Sequence, residues 1–464
     1  MRLSADHRSP APGADSSDPA ALVRTFGYLK LLALSAVLGV LVSAAAYGFL
    51  ALVSELQSAT YTDLPKALGF HGTPPWWPLP LLGVAGLLVG AAVRHLPGTG
   101  GHEPTAGLVT MGAPSAIELP GVFLAALATL GLGAVLGPEA PLIALGGGLA
   151  VLAVERPGRD VAPPVVAPPV VAPPVVAPPV VAVVGAAGSF AAVSTLLGSP
   201  LLGAFLLMEA SGLGGPTMGA VLVPGLLAAG IGSLVFLGLG SWTGLGTYSL
   251  TLTDVPHADR PDLPEFGWAL VVGVAAALLG AGIRRLALVL RARVERRRVP
   301  ATVVMGLVVA GCAIAYAEAT GKGAAEVLYS GQGVMGPLLA GHAGYSAGAL
   351  VLLVACKGLA YSASLSAFRG GPVFPAMFVG AAGGTALSHL AGLPITAAFA
   401  TGIGAMCVAL LRLPMTSVLL ATLLLGTDGL TVMPLVIVSV VVSYVLTLRI
   451  GPSGAGAAAP GVRG

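Results

Sequence analysis

The chain has 464 residues, of which 56% are hydrophobic and only 9% are charged, and its formal net charge is +3. Soluble proteins usually carry about 25% charged residues, so this composition excludes a soluble protein. The net charge is too small to indicate a nucleic-acid partner. In addition, the cationic residues are clustered rather than spread along the chain. The composition therefore indicates a multi-pass, all-α integral protein of the cell membrane, surrounded by the lipid bilayer.

Taken in chain order, the sequence divides into two membrane repeats flanked by polar ends. Residues 1–26 are polar and lack an apolar core of signal-peptide length, so we expect a disordered, uncleaved, cytoplasmic tail. Residues 27–240 form a first membrane repeat, 241–262 a linker, 263–450 a second repeat, and 451–464 a disordered tail. Several apolar segments are shorter than the ~20 residues that span a bilayer, which predicts tilted and broken helices.

The positive charges indicate the orientation in the membrane. An arginine cluster follows the apolar segment 267–290, and it consists of Arg291, Arg293, Arg296, Arg297 and Arg298. Cytoplasmic loops carry an excess of Lys and Arg, so this cluster is expected in the cytoplasm. A cytoplasmic N-terminus is favoured by Arg2, Arg8, Arg24 and Lys30.

Two stretches repeat the pattern GPxxPxxxxG, beginning at Gly137 and at Gly371, and each half continues with a proline-led apolar segment at Pro200 or Pro414. The first spacing is 63 residues and the second 43. The difference equals the length of a low-complexity block, residues 162–181, which is four copies of APPVV. The block is an insertion to which we assign no function. Paired Gly/Pro-interrupted apolar segments in two halves indicate an inverted repeat with a substrate site between them.

Four motifs occur in order along the chain: GTGGHEP from Gly98, GPEAP from Gly137, PLLGA from Pro200 with a glutamate at Glu209, and RGGPVFP from Arg369. Over about residues 28–450 the chain resembles the CLC family of chloride channels and chloride/proton antiporters, whose motifs are GSGIP, GxEGP, a PLxG segment ending in Glu, and GGxFxP. The resemblance implies a CLC-like inverted-repeat bundle and a homodimer with one pore per subunit. It also implies chloride as the substrate ion, protons as a second substrate in antiporters, and no cofactor, metal or enzymatic activity.

Glu139 is the strongest candidate for a functional residue. Free N–H groups at glycine-flanked helix starts near Thr99, Glu139 and Val373 can converge on a dehydrated anion, helped by the helix dipoles. An ionisable carboxyl inside the membrane is costly and usually functional. Its anionic form competes with a bound anion for the same donors, and protonation releases it. A helix-capping role is the alternative.

The resemblance assigns the site residue by residue. It implies that Glu139 is the gating glutamate, which occupies the external anion site when charged. Thr99 matches the family's central serine, whose hydroxyl helps to coordinate chloride. The other anion-binding positions that it implies are Gly100, Gly137, Ala140, Val373 and Phe374.

The last motif departs from the family at two positions. Pro372 stands where the family supplies a backbone N–H, and proline has none, so Val373 and Phe374 are expected to supply the donors on that side. Arg369 either faces the anion path or pairs with a carboxylate such as Glu209. The pair is favoured, because buried charges are rarely left unmatched.

Two further departures concern proton coupling. Ungapped matching places Glu209 at the first position of a carboxylate pair and Ala210 at the second, where family antiporters hold the internal proton carrier. The family's inner-gate tyrosine has no match, because Tyr444 lies too early, within an apolar helix. These absences favour a passive anion channel slightly over a chloride/proton antiporter with a non-standard internal proton route.

The remaining polar residues leave alternatives open. Lys357 either raises the positive potential along the anion route, or snorkels, or pairs with a carboxylate. His102 and Glu103, near the first motif, either lie at the pore mouth or are solvated loop residues, and the second alternative is favoured. Arg369 favours a second hypothesis, a secondary transporter of another anion such as an organic acid. A membrane enzyme is the third, and the sequence shows no metal-ligand cluster, activated nucleophile or phosphate loop for it.

Overall fold

The computed structural model describes residues 25–108, 112–154, 180–212, 216–244, 252 and 255–450. Over these residues the secondary structure is helical, apart from one isolated antiparallel bridge between Gly137 and Gly371. Seven helical stretches of the described chain are long and apolar enough to cross a membrane, and six apolar helices are shorter. The predicted all-α architecture of spanning and shortened helices is confirmed.

Within its described residues, the first half contains seven main helices. In chain order they are α1 (Phe26–Ser58), α2 (Pro78–His95), α3 (Leu119–Gly131), α4 (Glu139–Val154), α5 (Val180–Leu197), α6 (Pro200–Ser211) and α7 (Pro216–Thr243). Val180 and Val181, the last residues of the APPVV block, belong to the first turn of α5. The rest of the block lies outside the described residues, as do the predicted N-terminal tail up to residue 24 and the predicted tail at 451–464.

In the second half, the part of the chain that the structure describes contains eight main helices. They are α8 (Leu263–Val294), α9 (Arg298–Thr320), α10 (Gln332–Ala340), α11 (Ala347–Ala367), α12 (Val373–Leu387), α13 (Ile395–Leu411), α14 (Pro414–Leu424) and α15 (Gly426–Ile450). The predicted linker at 241–262 overlaps the end of α7 and the non-helical residues 255–262 that precede α8.

The two halves use the same helix packing around their central motifs. Helix α4 packs against α5, and α12 packs in the same way against α13. The last glycine of each GPxxPxxxxG motif makes this approach close: a Cβ at Gly146 would lie 2.6 Å from the Ala192 Cβ, and a Cβ at Gly380 would overlap the Gly402 carbonyl. Small residues at helix crossings let membrane helices approach closely. The sequence repeat is therefore also a packing repeat.

Candidate functional site

The two repeated motifs are hydrogen-bonded to each other. The Gly137 N–H donates to the Gly371 carbonyl at 2.8 Å, and the Gly371 N–H donates to the Gly137 carbonyl at 2.6 Å. This antiparallel bridge lies just before the first residues of α4 and α12. The N-termini of these two helices are therefore held side by side in the interior.

Glu139, the first residue of α4, is completely buried between the two motifs. Its Oε1 accepts a hydrogen bond of 2.7 Å from the Phe374 N–H in the first turn of α12. Its Oε2 accepts no hydrogen bond from any described residue. A Cβ built on either Gly137 or Gly371 would overlap Oε2. The carboxylate therefore fits only because both flanking positions are glycine.

This geometry places a negative group where a helix N-terminus favours an anion. The free N–H groups and the dipole of α12 stabilise negative charge at its start, and the Glu139 carboxylate takes that position. Pro372 contributes no N–H. Val373 and Phe374 were both expected to supply donors on this side, and the Phe374 N–H donates to the carboxylate. The Ala140 N–H also lies nearby, since a Cβ at Gly371 would be 3.0 Å from Ala140 N.

The first motif does not begin an α-helix in the described chain, and the predicted helix start near Thr99 is wrong. Four successive residues have positive φ, namely Gly98 at 75°, Thr99 at 51°, Gly100 at 69° and Gly101 at 96°. These angles are incompatible with a right-handed helix, and the segment forms a short 3₁₀ turn over Pro97–Gly100. Thr99 itself is exposed.

Arg369 connects the first motif to the last. Its Nε donates to the Thr99 carbonyl at 3.1 Å, and its Nη2 lies 3.5 Å from Glu103 Oε1. The prediction of an ion pair is confirmed, but the expected partner, Glu209, is wrong. Glu103 follows the Thr99 turn by only a few residues, so the loop that meets Arg369 supplies its own carboxylate. Gly100 packs against the Arg369 side chain, since a Cβ there would lie 3.7 Å from its Cγ.

Glu103 is shared among three arginines. Besides Arg369, Arg291 Nη2 lies 2.5 Å from its Oε2 and Arg298 Nη2 lies 3.5 Å from its Oε1. Its side chain is 28% exposed, so the expectation of a freely solvated residue is wrong. His102 contacts the Gly107 carbonyl through Nε2 at 2.8 Å. Two of these arginines belong to the predicted cytoplasmic cluster, which therefore touches the first motif.

Glu209 caps a helix of the other half. Its carboxylate accepts hydrogen bonds from the N–H groups of Met415 at 3.0 Å and Thr416 at 2.8 Å, and from the Thr416 hydroxyl at 2.6 Å. A carboxylate at the N-terminus of α14 satisfies free N–H groups and complements the dipole. Ala210, the next residue, cannot titrate. Tyr444 packs against the hydrophobic core in α15, which is the packing role expected for it.

Lys357 is fully buried in α11 and is held by backbone oxygens. Its Nζ donates to the carbonyls of residues 326–329 at 2.9, 3.2, 3.0 and 3.4 Å, and it lies 4.3 Å from the centroid of the Phe378 ring. It does not snorkel, so that alternative is wrong. It forms no salt bridge with a described carboxylate, and its interaction with the charge of Glu326 is electrostatic only. An influence on the potential along the anion route stays a prediction.

Sequence reasoning missed one line of polar side chains on α11. Lys357, Tyr361 and Ser364 are spaced i, i+4 and i+7 on one helical face. The Tyr361 hydroxyl donates to the Pro372 carbonyl at 2.6 Å, and Ser364 Oγ accepts from the Val135 N–H at 3.0 Å. We call these three residues the α11 polar stripe. The available signal was three polar residues at helical spacing in a span whose other polar residues are Ser362 and Ser366.

Comparison with known proteins places these features in a family. Residues 85–448 match the family model described as voltage gated chloride channel. The chain belongs to this family, the CLC family. Membership confirms the predicted fold.

Individual relatives are distant. The putative ion-transport protein YfeO of Salmonella paratyphi A is 32% identical over 127 residues, which cover 27% of this chain and only 30% of that protein. A slow cyanobacterial Cl⁻/H⁺ antiporter superposes with a TM-score of 0.67 at 16% identity, over 91% of this chain and 95% of that one. A CLC-type fluoride/proton antiporter gives 0.62 at 18% identity, over 92% and 97%. At such identities the two structures show the CLC fold alone.

Proposed function

We propose that this protein transports chloride or a similar small anion across the membrane through the site between α4 and α12, with Glu139 as a pH-sensitive gate. The observation that carries the proposal is the hydrogen bond from the Phe374 N–H to the buried Glu139 carboxylate. The N-terminus of a helix binds anions. Here the Glu139 carboxylate, an anionic group of the protein itself, occupies that position at the start of α12.

The gate follows from competition for the same donors. While Glu139 is ionised, it holds the Phe374 N–H and blocks the anion. Protonation removes the negative charge, so the side chain no longer gains from the α12 dipole and leaves. A mobile anion then binds the freed N–H groups. Flux is therefore expected to rise as the pH falls.

The other anion-binding residues have supporting roles in this proposal. Gly137, Ala140 and Val373 supply backbone beside the carboxylate, and Thr99 with Gly100 supplies a second contact further along the path. Support for that second contact comes from Arg369, whose side chain holds the Thr99 carbonyl and packs on Gly100. Because Arg369 is also paired with Glu103, it gives less support to an organic-acid transporter than an unpaired cation would.

The site is compatible with two forms of transport: passive conduction of anions, and exchange of anions for protons. The channel form is supported by Ala210, which cannot carry a proton, and by Glu209, whose carboxylate is engaged at the N-terminus of α14. Exchange is supported by the two solved structures named above, each described as a proton antiporter. In that form protons reach Glu139 by another internal route.

Flux measurements in proteoliposomes separate the possibilities. An outward chloride gradient that drives proton uptake identifies exchange, whereas chloride movement without proton movement identifies a channel. Chloride, fluoride and benzoate are compared in the same preparation. Transport of benzoate without chloride would overturn the proposal in favour of an organic-acid carrier. We further propose a homodimer with cytoplasmic N-termini, tested by cross-linking in native membranes and by the accessibility of an N-terminal tag.

A further inference from the structure

Tyr361 is the member of the α11 polar stripe that contacts the anion site. It is fully buried, and its hydroxyl donates to the Pro372 carbonyl at 2.6 Å. Pro372 is the N-cap residue of α12, two positions before the Phe374 N–H that holds the gate. Besides the bridge at Gly371, a hydroxyl from another helix therefore holds the backbone at the start of the anion-binding turn.

The carbonyl that Tyr361 holds has only a weak partner within its own helix. In a regular helix the N-cap carbonyl accepts a bond from the N–H four residues on. Here the Ala376 N–H lies 3.4 Å from the Pro372 oxygen, against 2.6 Å for the Tyr361 hydroxyl. The tyrosine is thus the stronger partner, and it determines the direction of the peptide that precedes Val373.

Tyr361 is also electrostatically close to the gate. Among the described residues, the titratable side chains that interact with the charge of Glu139 are Tyr361 from α11 and Cys407 from α13. Helix α12 faces the carboxylate with the Phe374 N–H, and Gly137 and Gly371 flank it. Tyrosine and cysteine are both neutral near neutral pH when unperturbed. Glu139 is therefore the group whose ionisation changes the charge of this site.

We propose that Tyr361 is a positioning residue of the anion gate: by holding the Pro372 carbonyl, it aims the Phe374 N–H at the Glu139 carboxylate and, once that carboxylate has left, at the transported anion. This proposal rests on the proposed function, because it assigns a role within the same gate.

The variant Tyr361→Phe tests the proposal by removing one oxygen while keeping the ring. The ionised carboxylate and the bound anion use the same N–H, so both are weakened. One hydrogen bond contributes about 1 kcal/mol, or about fivefold in an equilibrium constant. In proteoliposomes the pH of half-maximal chloride flux is expected to rise by about half to one unit. The chloride concentration for half-maximal flux is expected to rise about fivefold, with maximal flux retained.

Tyr316→Phe is the matched control. Tyr316 is also a fully buried tyrosine, but its hydroxyl donates to Glu326 Oε2 at 2.5 Å, outside the gate. Tyr316→Phe is expected to leave unchanged both the pH of half-maximal flux and the chloride concentration for half-maximal flux. In a Glu139→Gln background the pH dependence is absent, and adding Tyr361→Phe is still expected to raise the half-saturating chloride concentration.

The outcomes are distinguishable. Wild-type values for both midpoints in Tyr361→Phe, or a loss of maximal flux alone, overturn the positioning role. Equal shifts in Tyr316→Phe also overturn it, since the effect would then come from any buried hydroxyl. By contrast, wild-type protein without chloride flux, or with a pH dependence that survives Glu139→Gln, refutes the proposed function itself.

Discussion

Gly371→Ala should displace the ionised Glu139 carboxylate from the Phe374 N–H. A Cβ at this residue would lie 2.6 Å from Glu139 Cδ and 3.0 Å from Ala140 N. Carbon atoms in contact are about 3.5–4.0 Å apart, so the carboxyl group must move by about 1 Å. The 2.7 Å bond from the Phe374 N–H would then approach about 3.7 Å, beyond hydrogen-bonding distance. Gly371 does not have a positive φ, so alanine introduces no strain in its backbone dihedral angles.

The lost interaction sets the size of the effect. A hydrogen bond to a charged group contributes about 1.5–3 kcal/mol, which corresponds to about one to two pH units. The ionised, blocking form is the one destabilised, so half-maximal chloride flux is expected at a pH about one to two units higher. The assay is chloride efflux from proteoliposomes across a pH series, with monodisperse protein.

Gly383→Ala is the control for the same helix, because a Cβ at Gly383 meets nothing within 4 Å. It should behave as wild type. A wild-type pH midpoint in Gly371→Ala would refute the conclusion that the carboxylate lies against this glycine.

Three further predictions concern residues around the gate. Glu209→Ala removes the cap of α14 and should lower the free energy of unfolding by about 1 kcal/mol, which is measured as a lower Tm. The pH of half-maximal chloride flux should stay unchanged. A shift of that pH at unchanged Tm would contradict the capping role. Lys357→Met loses the hydrogen bonds to the carbonyls of residues 326–329 and should lower Tm more than Lys357→Arg does. Equal Tm values for the two variants would contradict a stabilising role of these hydrogen bonds. Arg369→Met removes the hydrogen bond to the Thr99 carbonyl and should raise the half-saturating chloride concentration about fivefold. Glu103→Gln should raise this concentration by a smaller factor. A larger increase in Glu103→Gln than in Arg369→Met would contradict the prediction.

The central part of the site was predictable because its signal is local and repeated. The echo between the motifs at Gly137 and Gly371 indicated two equivalent helix starts, and the structure joins them directly. The missing N–H of Pro372 likewise pointed to Val373 and Phe374 as donors, and Phe374 donates to Glu139.

What the sequence left undetermined depends on which distant segments meet. Arg369 needed a carboxylate, but charge alone could not distinguish Glu103 from Glu209. The Thr99 turn was predicted as a helix start, because a glycine-rich motif does not reveal that four successive φ angles are positive. Tyr361 was missed because a tyrosine in an apolar helix is usually a packing residue, and its bond to Pro372 requires the tertiary fold.

The most direct test of the account compares chloride flux of wild type and Glu139→Gln in proteoliposomes from acidic to neutral pH. Glutamine keeps the size of the side chain and removes its ionisation. The account predicts that wild-type flux rises as the pH falls, whereas Glu139→Gln is active and independent of pH. A variant with the pH dependence of wild type would contradict the assignment of Glu139 as the gate.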